Sequence, residues 1–337
     1  MFSSAVTGAG GFVGSAIVRK LLSQDEGVEH SNYIRAIARR PLTIHSSSHL
    51  QTKLVDLSSK DAVTPRLFEG CDVVFHVASK VAMWGNSEDF EKQNVGVTRM
   101  VLHAAAAAGV KAFVYTSSPS VIAGGEDLKG VDETYPYPKH YLAEYPKTKA
   151  IAERLVLAAD KVGGMRTLAL RPHLIFGPGD TSLGPAILAR AKAGSLVRLG
   201  SRNPLVDFTY IDDCVDAHLV GARALLNTPD LVAGKAYFIS QGEPTPFWDW
   251  VNAFIAIYNQ PAITKQIPVK VAYSVASLCE VACRLFPFLG EPRITRFLVK
   301  EMSTDHYFSI ERARNLLGFQ PSCTVAEGIK KTAMALV

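Results

Sequence analysis

The chain has 337 residues, 48% of them hydrophobic and 20% charged, with a formal net charge of +5. That composition excludes a disordered chain and allows a large core, while the short basic pairs Arg19-Lys20 and Arg39-Arg40 argue against a nucleic-acid surface. Cys71, Cys214, Cys279, Cys283 and Cys323 are odd in number and lack zinc-ligand spacing, and no basic-then-apolar leader opens the chain. Reduced thiols, a cytoplasmic location and no bound metal are therefore expected.

In chain order, Phe2 to Val6 reads as a first strand, followed by Thr7-Gly8-Ala9-Gly10-Gly11-Phe12-Val13-Gly14 and an amphipathic stretch to Leu22. A strand, glycines at 8, 11 and 14 and then a helix meet the needs of a dinucleotide pyrophosphate: a tight turn, close backbone approach and free helix-terminal amides. The second strand, Tyr33 to Ala38, runs into Arg39-Arg40. No carboxylate stands where an NAD site usually holds the ribose 2′-hydroxyl, and Asp25, Glu26 and Glu29 precede the strand. A guanidinium there suits a 2′-phosphate, so Arg39 favours NADP, with NAD the alternative and a solvent-facing pair the bland reading. Further strands are expected at Lys53 to Val55, Asp72 to Ala78, Ala112 to Ser117 and Thr167 to Leu170, with helices between them. The pattern predicts an α/β fold, a Rossmann-type doubly wound parallel sheet with functional groups at the strand carboxyl ends.

The fifth strand delivers Thr116-Ser117-Ser118 to that edge. Hydroxyls there can hold a carbonyl oxygen, although such clusters more often form turns. Tyr145 and Lys149 are four apart in Tyr145-Pro146-Lys147-Thr148-Lys149, leading into a helix expected over Lys147 to Val162. On a helix they share one face, and a cation beside a phenol favours the phenolate. Tyr135-Pro136-Tyr137-Pro138-Lys139 has the same spacing, but its two prolines forbid a regular helix. Leu205 to Asp213 reads as a strand entering a helix, with Asp212 or Asp213 as its N-cap. Ile267 to Leu289 is the most apolar region; charges at Lys270, Glu280 and Arg284 interrupt it, so a lobe helix touching a membrane surface fits better than a span.

The glycine turn, Ser118 and the Tyr145 to Lys149 motif together resemble the extended short-chain dehydrogenases/reductases, in particular the 3β-hydroxysteroid dehydrogenase branch. The resemblance implies that Ser118 holds the reacting oxygen, Tyr145 exchanges its proton, and Lys149 lowers the tyrosine pKa and binds the nicotinamide ribose; Ser117 is the alternative serine. It implies cofactor contacts from Gly8, Gly10, Gly11, Phe12, Val13 and Gly14, from Asp56 and Leu57 at the adenine, from Val77, Ala78 and Ser79, and from Pro172 and Leu174. Asn94-Val95-Gly96 departs from the family pattern by placing its glycine one position early.

Lys80-Val81-Ala82-Met83-Trp84-Gly85, Thr295 to Val299 and Ser303-Thr304-Asp305-His306 extend the likeness toward bacterial reductases of 2-alkyl-3-oxoalkanoic acids in olefin biosynthesis. Sterol-4α-carboxylate 3-dehydrogenases share many of these segments. The substrate implied is a lipid-like β-oxo or β-hydroxy acid, and a homodimer working beside other pathway enzymes is expected. Pocket candidates are Lys80, Trp84, His173 and Arg296. Phe247, Trp248 and Trp250 default to the core, and His173 and His306, without acidic partners at metal spacing, default to structural or wall roles. A cofactor domain over 1–176 and 205–240 and a smaller discontinuous lobe over 177–204 and 241–337 are expected. A dehydratase would carry Asp-Glu after Thr116; a sugar epimerase would keep Ser, Tyr and Lys, but the apolar region 267–289 suits a greasier substrate, and the retained Tyr145 and Lys149 argue against a non-catalytic NADP sensor of the same fold.

Overall fold

A computed structural model describes residues 2–25, 33–44, 47–59 and 61–335, so Glu26, Glu29 and the extreme ends of the expected domains lie outside it. Eight strands matter most to the site: β1 (Ser4–Thr7), β2 (Ile34–Ala38), β3 (Leu50–Leu54), β4 (Val73–His76), β5 (Ala112–Thr116), β6 (Leu128–Val131), β7 (Arg166–Pro172) and β8 (Ile175–Phe176). They are followed by β9 (Arg198–Leu199), β10 (Leu205–Val206), β11 (Thr209–Tyr210), β12 (Lys235–Ile239), β13 (Thr245–Pro246), β14 (Gln266–Ile267) and β15 (His306–Phe308). The main sheet has seven strands in the order β12-β7-β5-β4-β1-β2-β3, and every pairing in it is parallel. Chain order reverses direction between β1 and β4, which opens a crevice at their carboxyl ends.

Both faces of the sheet are covered, as parallel strands require. Side chains alternate between two apolar layers. Val6, Ala36, Phe75, Val114 and Leu168 meet Ile17 and Cys214 on one face, while Ala5, Ile37, Val74, Phe113 and Ala169 meet Val101, Ala105 and Val156 on the other. The first face is closed by helices Phe12–Asp25 and Ile211–Asn227, the second by Val97–Ala107 and Glu144–Ala158.

Several boundaries differ from the expectation. The Tyr145 helix starts at Glu144 and stops at Ala158, because Lys161 turns to φ 72° and Gly163 and Gly164 follow at positive φ. Asp212 and Asp213 do not cap their helix: Tyr210 is the N-cap, without a side-chain hydrogen bond. Asp213 is instead buried in the first turn, where its Oδ1 accepts from the Ser322 amide at 2.7 Å. A second sheet, β13-β10-β15-β6, joins Leu128–Val131 and Leu205–Val206 to strands from the last hundred residues, so the expected lobes are stitched together by shared strands.

Candidate active site

The glycine turn is built for backbone, with no room for side chains. Gly8 lies at φ +70°, and a Cβ on it would come within 2.8 Å of the Ala78 nitrogen; a Cβ on Gly14 would run into the Gly8 carbonyl. The turn thus presses against the segment after β4 and opens the N-terminus of helix Phe12–Asp25 toward the crevice. A cradle that a Cβ would fill, next to free helix-terminal amides, fits a dinucleotide pyrophosphate.

A buried relay fixes the other wall. Thr7 Oγ1 accepts from the amides of Val77 and Ala78 at 3.2 Å each, so its own proton goes to His76 Nδ1 at 2.8 Å. His76 Nε2 is then the protonated nitrogen and donates to Thr98 Oγ1 at 3.0 Å, which donates to the Asn94 carbonyl at 2.6 Å. Burial, with the Lys149 charge adding, pushes the His76 pKa down to about 3, so this ring is neutral. Asn94 Oδ1 accepts from Ser79 Oγ and the Lys80 amide, and its Nδ2 donates to the Lys80 carbonyl and Thr148 Oγ1. It lies in a π-helical turn, Glu91–Gly96, and ties the cofactor-side loop to the Tyr145 helix. A Cβ on Gly96 would meet only ordinary contact, 3.7 Å from the Glu91 carbonyl, so close packing does not require a glycine at that position.

Tyr145, Lys149 and Ser118 converge on one cavity of about 1200 Å³. Ser118 caps a 3-10 turn, with its Oγ 2.9 Å from Ser120 Oγ. Burial pushes the Tyr145 pKa up to about 12; a hydrogen bond from Ser118 opposes the rise and the Glu301 charge adds to it. Burial pulls Lys149 down to about 7, against the attraction of Glu153. Lys149 Nζ donates to the Thr116 carbonyl and lies 4.3 Å from the Tyr115 ring centroid. Ser117 also borders the cavity, but its hydroxyl is buried without a partner and its amide is bound to the Leu170 carbonyl.

The same cavity begins at Gly8, Gly10, Gly11, Phe12, Val13 and Gly14, passes Arg39, Asp56, Leu57, Val77, Ala78 and Ser79, and reaches Pro172, His173 and Leu174. Arg39 is exposed at the end of β2. Asp56 Oδ1 accepts from the Ser58 amide and hydroxyl, which holds its carboxyl below the usual range. Leu174 takes φ 38°, a strained conformation for a branched residue, at the cavity wall.

Two expected pocket residues are elsewhere. Trp84 does not line the cavity; its ring packs under the Arg284 guanidinium, 5.6 Å from the centroid. Arg296 does not line it either, because Glu280 takes its Nε at 2.7 Å and its amide at 2.6 Å. Lys80 does line it, yet its ammonium is paired with Asp89. Of the aromatic group, Phe247 and Trp248 reach the cavity, while Trp250 stacks on Phe208 in the core at 4.2 Å. Glu301 is the site residue the sequence reading did not single out; with His306, whose expected wall role fits, it borders the cavity beyond Tyr145.

A family model described as the 3-beta hydroxysteroid dehydrogenase/isomerase family matches residues 5–266. A 2-alkyl-3-oxoalkanoate reductase of Stenotrophomonas maltophilia is 40% identical over 97% of this chain and 97% of its own. One of Shewanella oneidensis is 37% identical over 98% and 85%. A decarboxylating sterol-4-alpha-carboxylate 3-dehydrogenase of Candida albicans is 35% identical over 98% and 96%. Among solved structures, an epimerase from Methanothermobacter thermautotrophicus covers 99% of this chain and 92% of its own at TM-score 0.77 and 21% identity, a likeness of fold.

Proposed function

The chain belongs to the 3-beta hydroxysteroid dehydrogenase/isomerase family, whose members are NAD(P)-dependent oxidoreductases, and from that premise we propose that it reduces the 3-oxo group of a 2-alkyl-3-oxoalkanoic acid to the 3-hydroxy acid. The observation that carries the reading is the single cavity joining the glycine cradle to Ser118, Tyr145 and Lys149 and continuing between the apolar walls of Phe247, Trp248, Val251 and Phe297. Similarity to two such reductases over nearly the whole chain supports the substrate class.

Gly8 to Gly14 and the helix amides behind them would hold the pyrophosphate, Asp56 and Leu57 the adenine, and Val77 to Ser79, Pro172 and Leu174 the nicotinamide half. Arg39, exposed at the end of β2 on the cavity wall, supports NADP over NAD. The cofactor supplies hydride to C3. Tyr145, kept protonated by burial, gives its proton to the C3 oxygen as that oxygen becomes an alkoxide. Ser118 donates a hydrogen bond to the same oxygen, and the Lys149 cation lowers the cost of the phenolate left behind. The segments 1–176 and 205–240 would carry the cofactor, 177–204 and 241–337 the substrate.

Tyr145→Phe should lower turnover of a 2-alkyl-3-oxo acid at least about 100-fold with NADPH affinity unchanged. Near-normal turnover would sink the assignment. The sterol reading, favoured by the likeness to the Candida albicans enzyme, replaces it if the protein oxidises a 3β-hydroxysteroid or its 4-carboxy analogue and ignores the free acid. The resemblance also leads us to propose a cytoplasmic homodimer meeting through the helices around 93–108 and 147–162, beside the other enzymes of an olefin pathway. Peripheral contact with a lipid surface through the exposed face of helix Val269–Leu285 completes the proposal.

A further inference from the structure

Beyond Tyr145, on the substrate side of the cavity, two imidazoles and one carboxyl meet. His173 follows β7, His306 opens β15, and Glu301 ends the helix Arg296–Glu301. Their potential ligand atoms all lie within 4.8 Å of one another, and all three residues border the cavity. His306 Nε2 faces the Glu301 main-chain carbonyl at 2.6 Å. That nitrogen therefore carries the proton, and Nδ1 keeps a lone pair. His173 Nε2 lies 3.2 Å from this lone pair. His173 is only 6% exposed, where a charged ring would be poorly solvated. The main-chain carbonyl of Asp207 favours a proton on His173, and the nitrogen left to meet it is Nδ1, which has no completed hydrogen bond. That 3.2 Å contact is a hydrogen bond when His173 carries its proton on Nε2; when the proton sits on Nδ1, toward the Asp207 carbonyl, two lone pairs face each other across it, beside a Glu301 carboxyl whose pKa burial raises.

We propose that His173 Nε2, His306 Nδ1 and a Glu301 carboxylate oxygen bind one divalent transition-metal ion, with zinc the best match. Two imidazoles and a carboxylate form a common zinc ligand set, and metal–nitrogen bonds of about 2.0–2.1 Å at a tetrahedral angle put the nitrogens roughly 3.3 Å apart. The Glu301 main-chain carbonyl supplies the outer hydrogen bond that orients the His306 ring. The remaining coordination position opens on the cavity, where a carboxylate or another oxygen of the substrate would complete it. This site does not depend on which substrate is reduced.

The test uses metal-stripped full-length protein without cofactor or substrate. Titration with Co²⁺ should saturate at one equivalent per chain with visible ligand-field absorption, and Zn²⁺ should displace it. Glu301→Gln and His306→Ala should each weaken Zn²⁺ binding at least about tenfold, with NADPH affinity as the check that each variant is folded. X-ray absorption at the zinc edge of the wild type, expected to report two imidazoles, does not rely on the variants. No saturable Co²⁺ uptake, uptake that both variants leave unchanged, or a zinc edge without imidazole scattering overturns the proposal. None of those results bears on whether Tyr145 turns over a 3-oxo acid.

Discussion

Lys149 is only 2% exposed, and Glu153, one helical turn further on, is completely buried. Arg171 from β7 grips Glu153 with two bonds, Nε to Oε2 at 2.9 Å and Nη2 to Oε1 at 2.7 Å, and the Tyr137 hydroxyl donates to Oε1 at 2.6 Å. This pair and its hydrogen bonds keep the Glu153 carboxyl ionised below its usual range despite burial, and Glu153 in turn holds up the Lys149 pKa that burial pulls down to about 7. Only the Lys149 cation can assist a Tyr145 phenolate, so turnover should fall as pH rises through the Lys149 pKa. Glu153→Gln removes the supporting charge and lowers that pKa further. Its basic limb should therefore lie at lower pH than that of the wild type; an unmoved limb would uncouple Glu153 from Lys149. Arg171, left uncompensated, should cost about 3–5 kcal/mol in denaturant unfolding. Tyr145 and Lys149 were legible because helical spacing is local. Glu153 was not, since its meaning depends on Arg171 and on Tyr137, a residue of the proline-rich segment whose own Tyr-Lys spacing is a decoy.

At the scale of elements, the turn between β1 and its helix was legible for the same reason: strand, glycines and helix are consecutive. The hold on it was not. Thr7 and His76 are 69 residues apart, and Asn94 and Thr148 are 54 apart, so no spacing in the sequence announces the relay that pins Val77 to Lys80. The role of Asp213 was equally illegible, because its partner amide is at Ser322, 109 residues away, whereas the stop at Ala158 had a local signal in Gly163-Gly164 that the expectation to Val162 passed over. The turn itself can be tested with a contrast. Gly14→Ala drives a methyl group into backbone, the Gly8 carbonyl, which has no freedom to yield, so the turn must open. Gly10→Ala meets only the side chains of Leu42 and Ala38 at 3.6 and 3.7 Å. NADPH affinity, followed by its fluorescence, should fall at least about tenfold in Gly14→Ala, equivalent to 1.4 kcal/mol, and thermal stability should drop with it. Gly10→Ala should keep the wild-type melting temperature. Equal stability of the two variants would mean that the turn is not held by backbone contact.

The whole molecule follows from alternation of apolar strands and helices, and the comparison with solved folds agrees on the sheet. What alternation could not reveal was the exchange of short strands between the two expected lobes, since β6, β10, β13 and β15 have only two to four residues each. The apolar region at 267–289 shows its meaning at this scale. Val271, Val275, Leu278, Val281 and Leu285 recur along one face of helix Val269–Leu285 and are 46–71% exposed, and Phe288 beyond it is 84% exposed. Val81 and Met83, on the cavity rim, are also exposed, and the Arg284–Trp84 contact links their loop to the helix. Among the described residues no helix is long and apolar enough to cross a membrane. A continuous apolar strip beside the mouth of a lipid-sized cavity suits a substrate that arrives from a bilayer surface, and the net charge of +5 favours anionic lipid. Leu278→Asp combined with Phe288→Asp withdraws two side chains worth about 1.5–3 kcal/mol each on burial. Co-sedimentation with anionic phosphatidylglycerol vesicles should weaken more than about tenfold, while turnover of a short, water-soluble 3-oxo acid stays at the wild-type rate, since neither side chain borders the cavity. Vesicle binding that is absent in the wild type, or equal in the variant, would remove the lipid surface from the account and leave the strip to a protein partner.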